Sequence, residues 1–204
     1  MISHSGLTGK KPDVFNTDWK GVALREFFMT TTRVGFSVWT DGDLPEAQEL
    51  WGNAAVTKYI SANGNMTDEQ IKQRLRREIE TYTTYKIQYW PIYWLENTEF
   101  IGCCGLRPYN NEKNIVEIGF HIREKFWGKG IAYEASYAVI GYAFAVLKRA
   151  ALFAGHNPNN IVSAHLLKKL GFSYTHDEFY QPTGLLHPSY LMTKQQFEEQ
   201  KHSL

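Results

Sequence analysis

Cysteine is almost absent from this chain of 204 residues: there are two, Cys103 and Cys104, and they are adjacent. Neighbours on a strand point to opposite faces. The pair therefore offers neither a disulfide framework nor the spaced ligands of a zinc site, and two buried thiols and no metal are expected. Also missing is a run of about 18 apolar residues, the length that marks a membrane span, so no membrane partner is expected. The first ten residues lack the apolar stretch of a signal peptide. Neither sign of charge is in excess: 22 Lys and Arg against 21 Asp and Glu leave a net +1. The basic face or tail of a nucleic-acid binder is not visible. Both common nucleotide signatures fail as well, since Gly128-Lys129-Gly130 is followed by Ile131 and Ala132. A phosphate loop needs Gly-x-x-x-x-Gly-Lys-Ser/Thr, and a dinucleotide fold needs Gly-x-Gly-x-x-Gly after its first strand. A reducing, cytoplasmic setting fits these absences.

What is present is a core. Hydrophobic residues make up 43% of the chain, enough to fill one domain of this length. Arg33 to Val38 reads as a first strand, after an N-terminal extension (1–32) with no readable pattern. Leu44-Pro45 opens a helix, proline being welcome in a first turn. Thr67-Asp-Glu-Gln70 has capping-box spacing, and Ile71, Leu75 and Ile79 follow at helical intervals. Strands are expected at 88–95, 99–106 and 115–122, with a loop over 107–114. A helix over 131–147, a short strand at 150–154 and a helix over 160–170 follow, the last ended by Gly171 as a left-handed cap. Two closing strands, 172–179 and 185–192, complete a single domain at 33–195, with a tail at 196–204. The fold class is α+β: a mixed central sheet flanked by helices.

Two motifs carry chemistry. Residues 125–130 read Lys-Phe-Trp-Gly-Lys-Gly, between the strand at 115–122 and the helix at 131. The first N–H groups of a helix have no partner within it, and the helix dipole adds positive character there. Glycines at 128 and 130 allow the backbone close approach and angles other residues resist, so a phosphate or pyrophosphate suits the turn. The second motif runs from His156 to Phe172, with Asn160 and Ser163 three apart at a helix entry. Alone, that spacing is also what plain helix capping gives.

Together, over residues 32–195, the motifs resemble the GNAT superfamily of acetyl-CoA-dependent N-acetyltransferases. The resemblance rests on Gly128 and Gly130 in the pyrophosphate loop, with Lys125 in its first place, and on Asn160, Ser163, Gly171 and Phe172. Thr32-Arg33, Ile101-Gly-Cys-Cys-Gly-Leu106, Glu117-Ile-Gly-Phe120 and Phe126-Trp-Gly-Lys-Gly130 look most like the ribosomal-protein N-terminal acetyltransferase (RimJ/RimL-like) branch. The resemblance implies a GNAT-like sheet in which the strands at 115–122 and 150–155 splay apart. The pantetheine arm of acetyl-CoA would lie in that gap and pair with the strand edges, with a main-chain N–H of Ile118 or Phe120 stabilising the oxyanion of the thioester. Its pyrophosphate would sit on the amides of Phe126, Trp127, Gly128, Lys129, Gly130 and Ile131, with added charge from Lys125 and Lys129. Asn160 and Ser163 would face the cofactor from the other side.

The acceptor implied is a primary amine, at a protein or peptide N-terminus, that attacks the thioester of acetyl-CoA directly, on an enzyme that is a monomer or homodimer. A small amine (amino acid, polyamine or antibiotic) is the alternative, and a non-catalytic acyl-CoA sensor is another. Alternation puts Glu117, Gly119 and His121 on one face of their strand. Glu117 is the first candidate for general base, through water, and His121 the second. The Tyr that many relatives carry four residues before Gly171 is Leu167 here, so the proton donor stays open among Ser163, Tyr133 and Tyr174.

Overall fold

The computed structural model describes residues 25–61 and 63–201; the expectations about 1–24 and 202–204 fall outside the described residues. The meander at its centre comprises β3 (Tyr89–Trp94), β4 (Phe100–Asn110) and β5 (Ile115–Ile122). It grows at one edge by β2 (Val34–Phe36) and β1 (Met29–Thr30), and at the other by β6 (Ala151–Gly155), β8 (Leu185–Thr193) and β7 (Ser173–Tyr180). The sheet order is β1-β2-β3-β4-β5-β6-β8-β7, with β5 and β6 parallel and the other pairs antiparallel. This is the mixed sheet expected from the sequence.

Two faces follow from strand alternation. One carries Trp90, Ile92, Cys104, Leu106, Val116 and Ile118, and packs on α4 (Ile131–Ala145) and α5 (Ile161–Leu170). The other carries Tyr89, Tyr93 and Cys103, and packs on α1 (Leu44–Trp51) and α3 (Asp68–Tyr85). A short helix α2 (Ala54–Thr57) links the latter two. The two cysteines are free and buried, one to each face. Burial pushes both thiols up, Cys104 to about 12, so neither is a thiolate at neutral pH.

The capping box of α3 forms as expected: Thr67 Oγ1 accepts from the Gln70 amide at 3.3 Å and Gln70 Oε1 from the Thr67 amide at 2.8 Å. Three boundaries differ from expectation. β4 runs to Asn110 rather than 106, because a bulge between Pro108 and Asn110 absorbs the proline. The turn at 111–114 is then closed by the Asn114 amide on the Asn111 carbonyl. Residues 25–32, left outside the domain by the sequence, add β1, and Phe28 meets Phe36, Trp90 and Tyr142. The residues expected as a tail form α6 (Lys194–Lys201), which buries Phe197 against Phe144.

One charge cluster ties α3 to the sheet. Glu78 is fully buried. Its Oε1 accepts from Arg74 Nε at 3.0 Å and pairs with Arg107 of β4, while Oε2 accepts from the Tyr89 amide at 3.0 Å. A buried carboxylate is tolerated only when satisfied in this way. Removing it strands two part-buried guanidinium groups. Glu78→Ala is expected to cost about 3 kcal/mol, read as a lower urea midpoint at unchanged slope. A loss below about 1 kcal/mol would mean that Arg74 and Arg107 find water instead.

Candidate active site

The pairing of β5 with β6 stops early. Ile115, Val116 and Glu117 pair with Ala151, Leu152 and Phe153, and no pair follows. Beyond Glu117, β5 continues on β4 alone as far as Gly102↔Ile122. The Arg123 amide bonds the Ile101 carbonyl across that ladder at 2.9 Å. Backbone groups alternate sides along a strand, so those of Ile118, Phe120 and Ile122 point away from β4, into the gap beside β6. The Trp127 indole N–H takes the Ile122 carbonyl at 2.7 Å. The Glu117↔Phe153 pair uses the Ile118 amide, so the open groups along the gap are the Ile118 carbonyl and the backbone of Phe120.

At the end of β5 the chain makes a 3-10 turn, Glu124–Phe126, and then the glycine loop. Gly128 and Gly130 have φ of +73° and +75°, the left-handed region that favours glycine. Gly130 is the N-cap of α4, with no side chain capping that end. Among the described residues, no hydrogen bond reaches the amides of Gly128, Lys129, Gly130 and Ile131. A Cβ placed on Gly128 would find nothing within 4 Å, so the space over the loop is open. Four free amides on a helix N-terminus suit a phosphate-sized anion. The amides of Phe126 and Trp127 do not belong to this set. They bond the carbonyls of Arg123 and Glu124 at 2.9 and 3.0 Å, because the 3-10 turn consumes them.

Lys125 is also withdrawn from the expected anion site, since its ammonium pairs with Glu99 and holds that carboxyl below its usual range. Lys129 lies with Nζ 5.5 Å from the centre of the Phe126 ring. The cation the sequence did not assign to the loop is Arg33. Its Nη1 donates to the Lys129 carbonyl at 3.1 Å, and its Nε donates to Glu134 Oε2 at 2.7 Å. Thr31 Oγ1 and the Arg33 amide complete the shell of Glu134 at 2.6 and 3.0 Å. These hydrogen bonds hold the Glu134 carboxyl below its usual range despite partial burial. Arg33 thus neutralises the one carboxylate in the first turn of α4 and pins the loop from outside.

Across the gap, α5 begins after β6. Asn160 Oδ1 accepts from the Ser163 amide at 3.1 Å, so the Asn160 side-chain oxygen is spent on capping its own helix. The Ser163 hydroxyl, half-buried, has no partner among the described residues. Leu167 is buried in the core and offers no proton.

The remaining candidates lie on the face toward α1 and α3. Arg107 of β4, Glu117 of β5 and Phe153 of β6 share one row. The Tyr89 hydroxyl donates to Glu117 Oε1 at 2.8 Å. It crosses over Gly119, where a Cβ would come within 2.2 Å of that hydroxyl oxygen, so only glycine leaves room for the phenol. The Arg107 guanidinium lies 4.1 Å from the centre of the Tyr89 ring. Tyr89 was not assigned to this site from sequence, because it reads as a core aromatic.

His121 does not suit the role of base. Its Nδ1 accepts the Trp51 indole N–H at 3.0 Å. Burial, then the positive charges of Arg74 and Arg107, hold the imidazole well below its usual pKa. Residues 181–184, between β7 and β8, form a hydrogen-bonded turn, with the Thr183 amide on the Tyr180 carbonyl at 3.1 Å. Among the described residues, no helix is long and apolar enough to cross a membrane.

Comparison with known proteins agrees with this geometry. A family model described as an acetyltransferase (GNAT) domain matches residues 33–173. The uncharacterized N-acetyltransferase p20 of Bacillus licheniformis is 29% identical over 124 residues, which is 61% of this chain and 70% of that protein. Among solved structures, RimL, the ribosomal L7/L12 alpha-N-protein acetyltransferase, superposes with a TM-score of 0.71 at 13% identity, covering 83% of this chain and 95% of its own. The spermidine N-acetyltransferase of Vibrio cholerae, in complex with CoA and spermine, superposes with a TM-score of 0.69 at 16% identity, covering 82% and 99%. At these identities the two structures speak for the fold.

The glycine loop yields a test. A β-branched residue at φ near +70° costs roughly 1–2 kcal/mol, which the loop relieves by leaving the shape that aims its amides. Gly128→Val is expected to weaken acetyl-CoA binding about tenfold or more by calorimetry, with the folded circular-dichroism spectrum retained. Wild-type affinity would show that the loop does not hold the donor.

Proposed function

This chain belongs to the GNAT acetyltransferase family, and we propose that it acetylates the amine of a peptide or protein N-terminus, with Glu117 as the general base. Enzymes of this family use acetyl-CoA, which when bound supplies an acetyl group activated as a thioester. The residues present fit such a donor on two counts. The free amides of Gly128, Lys129, Gly130 and Ile131 suit its pyrophosphate, and the open Ile118 carbonyl and Phe120 backbone groups suit an extended arm paired like an added strand. Asn160, through its remaining amide N–H groups, and Ser163 would complete the site from α5.

The observation that carries the catalytic reading is the Tyr89–Glu117 hydrogen bond beside the splay. One oxygen of Glu117 accepts from Tyr89; the other has no partner among the described residues and is free to take a proton. An N-terminal amine has a pKa near 8 and is mostly protonated at pH 7. A fixed carboxylate draws that proton away, directly or through a water, leaving the amine its lone pair. Such a base is worth about two to four orders of magnitude. On the α5 side, Ser163 Oγ holds a proton with no competing partner, and positioning of the two substrates supplies the rest of the rate.

Both arginines of this face, Arg74 and Arg107, pair with the buried Glu78. Glu117 is left as the carboxylate beside the splay, which suits a single N-terminal ammonium.

Glu117→Gln is expected to lower kcat about a hundredfold while acetyl-CoA affinity is unchanged, and to move the acid limb of the pH–rate profile up toward the pKa of the amine itself. A variant that keeps both wild-type kcat and the wild-type profile would remove Glu117 as the base.

A further inference from the structure

His121 stands on the face of Glu117, four residues along β5, with Gly119 and the Tyr89 ring between them. Its protonation state follows from its neighbours. An indole nitrogen can only donate a hydrogen bond, and Trp51 Nε1 lies 3.0 Å from His121 Nδ1. Nδ1 must therefore present a lone pair. Cys103 Sγ, 3.7 Å from the same nitrogen, is a buried and protonated thiol and brings no charge to it. The imidazole is kept neutral by burial and by Arg74 and Arg107. A neutral imidazole carries one proton, and it can only be on Nε2.

That Nε2–H has no partner among the described residues. The buried polar side-chain atoms left unpaired are Gln88 Nε2, Trp90 Nε1, Tyr93 Oη and Arg149 Nε. His121 Nε2 is not one of them, so it opens to solvent on the acceptor face. The result is a donor of fixed direction and fixed tautomer, beside the carboxylate that would receive the amine.

We propose that His121 is a specificity-determining residue whose Nε2–H binds an oxygen of the acceptor, so that the preferred substrate is an amine with a carbonyl or carboxylate oxygen nearby, as at a peptide N-terminus, and not an oxygen-free polyamine. The inference rests on the reading that acceptors enter over Glu117. Its logic is one of complementary ends: a carboxylate takes the ammonium, and a neutral N–H takes the oxygen a short distance along the same molecule. A bound acceptor covers this donor, and a site whose donor is covered without a partner discriminates against the ligand that leaves it so.

The test uses a seryl-alanyl peptide amide and spermidine as acceptors, with the full-length enzyme. Wild type is expected to show the higher kcat/KM with the peptide amide. His121→Leu should raise KM for the peptide amide about tenfold, the worth of one such hydrogen bond, with kcat and acetyl-CoA affinity nearly unchanged and spermidine kinetics unmoved. His121→Gln, whose side-chain amide restores a donor near the Nε2 position, should recover most of the loss. In a 15N-imidazole spectrum, His121 should show the Nε2–H tautomer and no titration between about pH 5 and 8. Equal losses with both acceptors, an Nδ1–H tautomer, or a wild type that prefers spermidine while still depending on Glu117 would overturn the role of His121 alone. A wild type that turns over both acceptors without any dependence on Glu117 would overturn the underlying reading of the face as well, and turnover of neither acceptor would sink both together.

Discussion

The short parallel seam between β5 and β6 is the constraint on which the site depends. Three residue pairs, from Ile115↔Ala151 to Glu117↔Phe153, join two halves of an eight-stranded sheet. Main-chain groups inside a protein must be paired, and past the Ile118 amide, which closes the last pair, the Ile118 carbonyl and the groups of Phe120 are not paired by β6. A sheet tolerates such a breach only where something else fills it. Each strand at the breach runs straight into a helix, β5 into α4 through the glycine loop and β6 into α5 through Asn160. Two helix N-termini therefore converge on one end of the gap, and with them the partial positive charge those ends carry. Opening the sheet here creates both a backbone slot and an electropositive mouth for it.

The side chains that support the mouth act mostly by withdrawing competing charge. Glu134 in the first turn of α4 would oppose an anion, but Arg33 and Thr31 occupy both its oxygens. Lys125, just before the loop, is committed to Glu99 at the start of the neighbouring β4. What remains over the loop is main-chain N–H and open space, so recognition there depends on backbone shape more than on side-chain charge. The positive φ at Gly128 and Gly130 is what produces that shape.

Much of this was legible in the sequence, and the reasons it was partly illegible are specific. The meander, the helix starts and the loop announce themselves through local signals: alternation, the Thr67–Gln70 box, paired glycines before an apolar helix. The end of β4 was misjudged because Pro108 and the polar residues after it look like a loop, and the bulge that rescues the strand is a cross-strand feature. Which loop amides are free could not be read either, since the 3-10 turn that uses those of Phe126 and Trp127 leaves no mark in composition. Arg33 and Glu134 stand 101 residues apart, and nothing in either neighbourhood indicates the other.

The acceptor face shows the same limit more sharply. Trp51, Glu78, Tyr89, Arg107, Glu117 and His121 come from α1, α3 and three strands, and each has an ordinary local explanation. Alternation alone placed Glu117 and His121 together and made both look like bases. The distinction between them comes from hydrogen-bond valence. Trp51 spends the lone pair of His121 and leaves it a donor, whereas Tyr89 spends one oxygen of Glu117 and leaves the other an acceptor. Gly119 makes the second arrangement possible by ceding its side-chain space to the phenol. Two residues that alternation treats alike are thus driven to opposite roles by aromatic neighbours that look like core. The polarity of the face, acceptor at Glu117 and donor at His121, is a property of the packing, and it is the property an incoming amine would have to match.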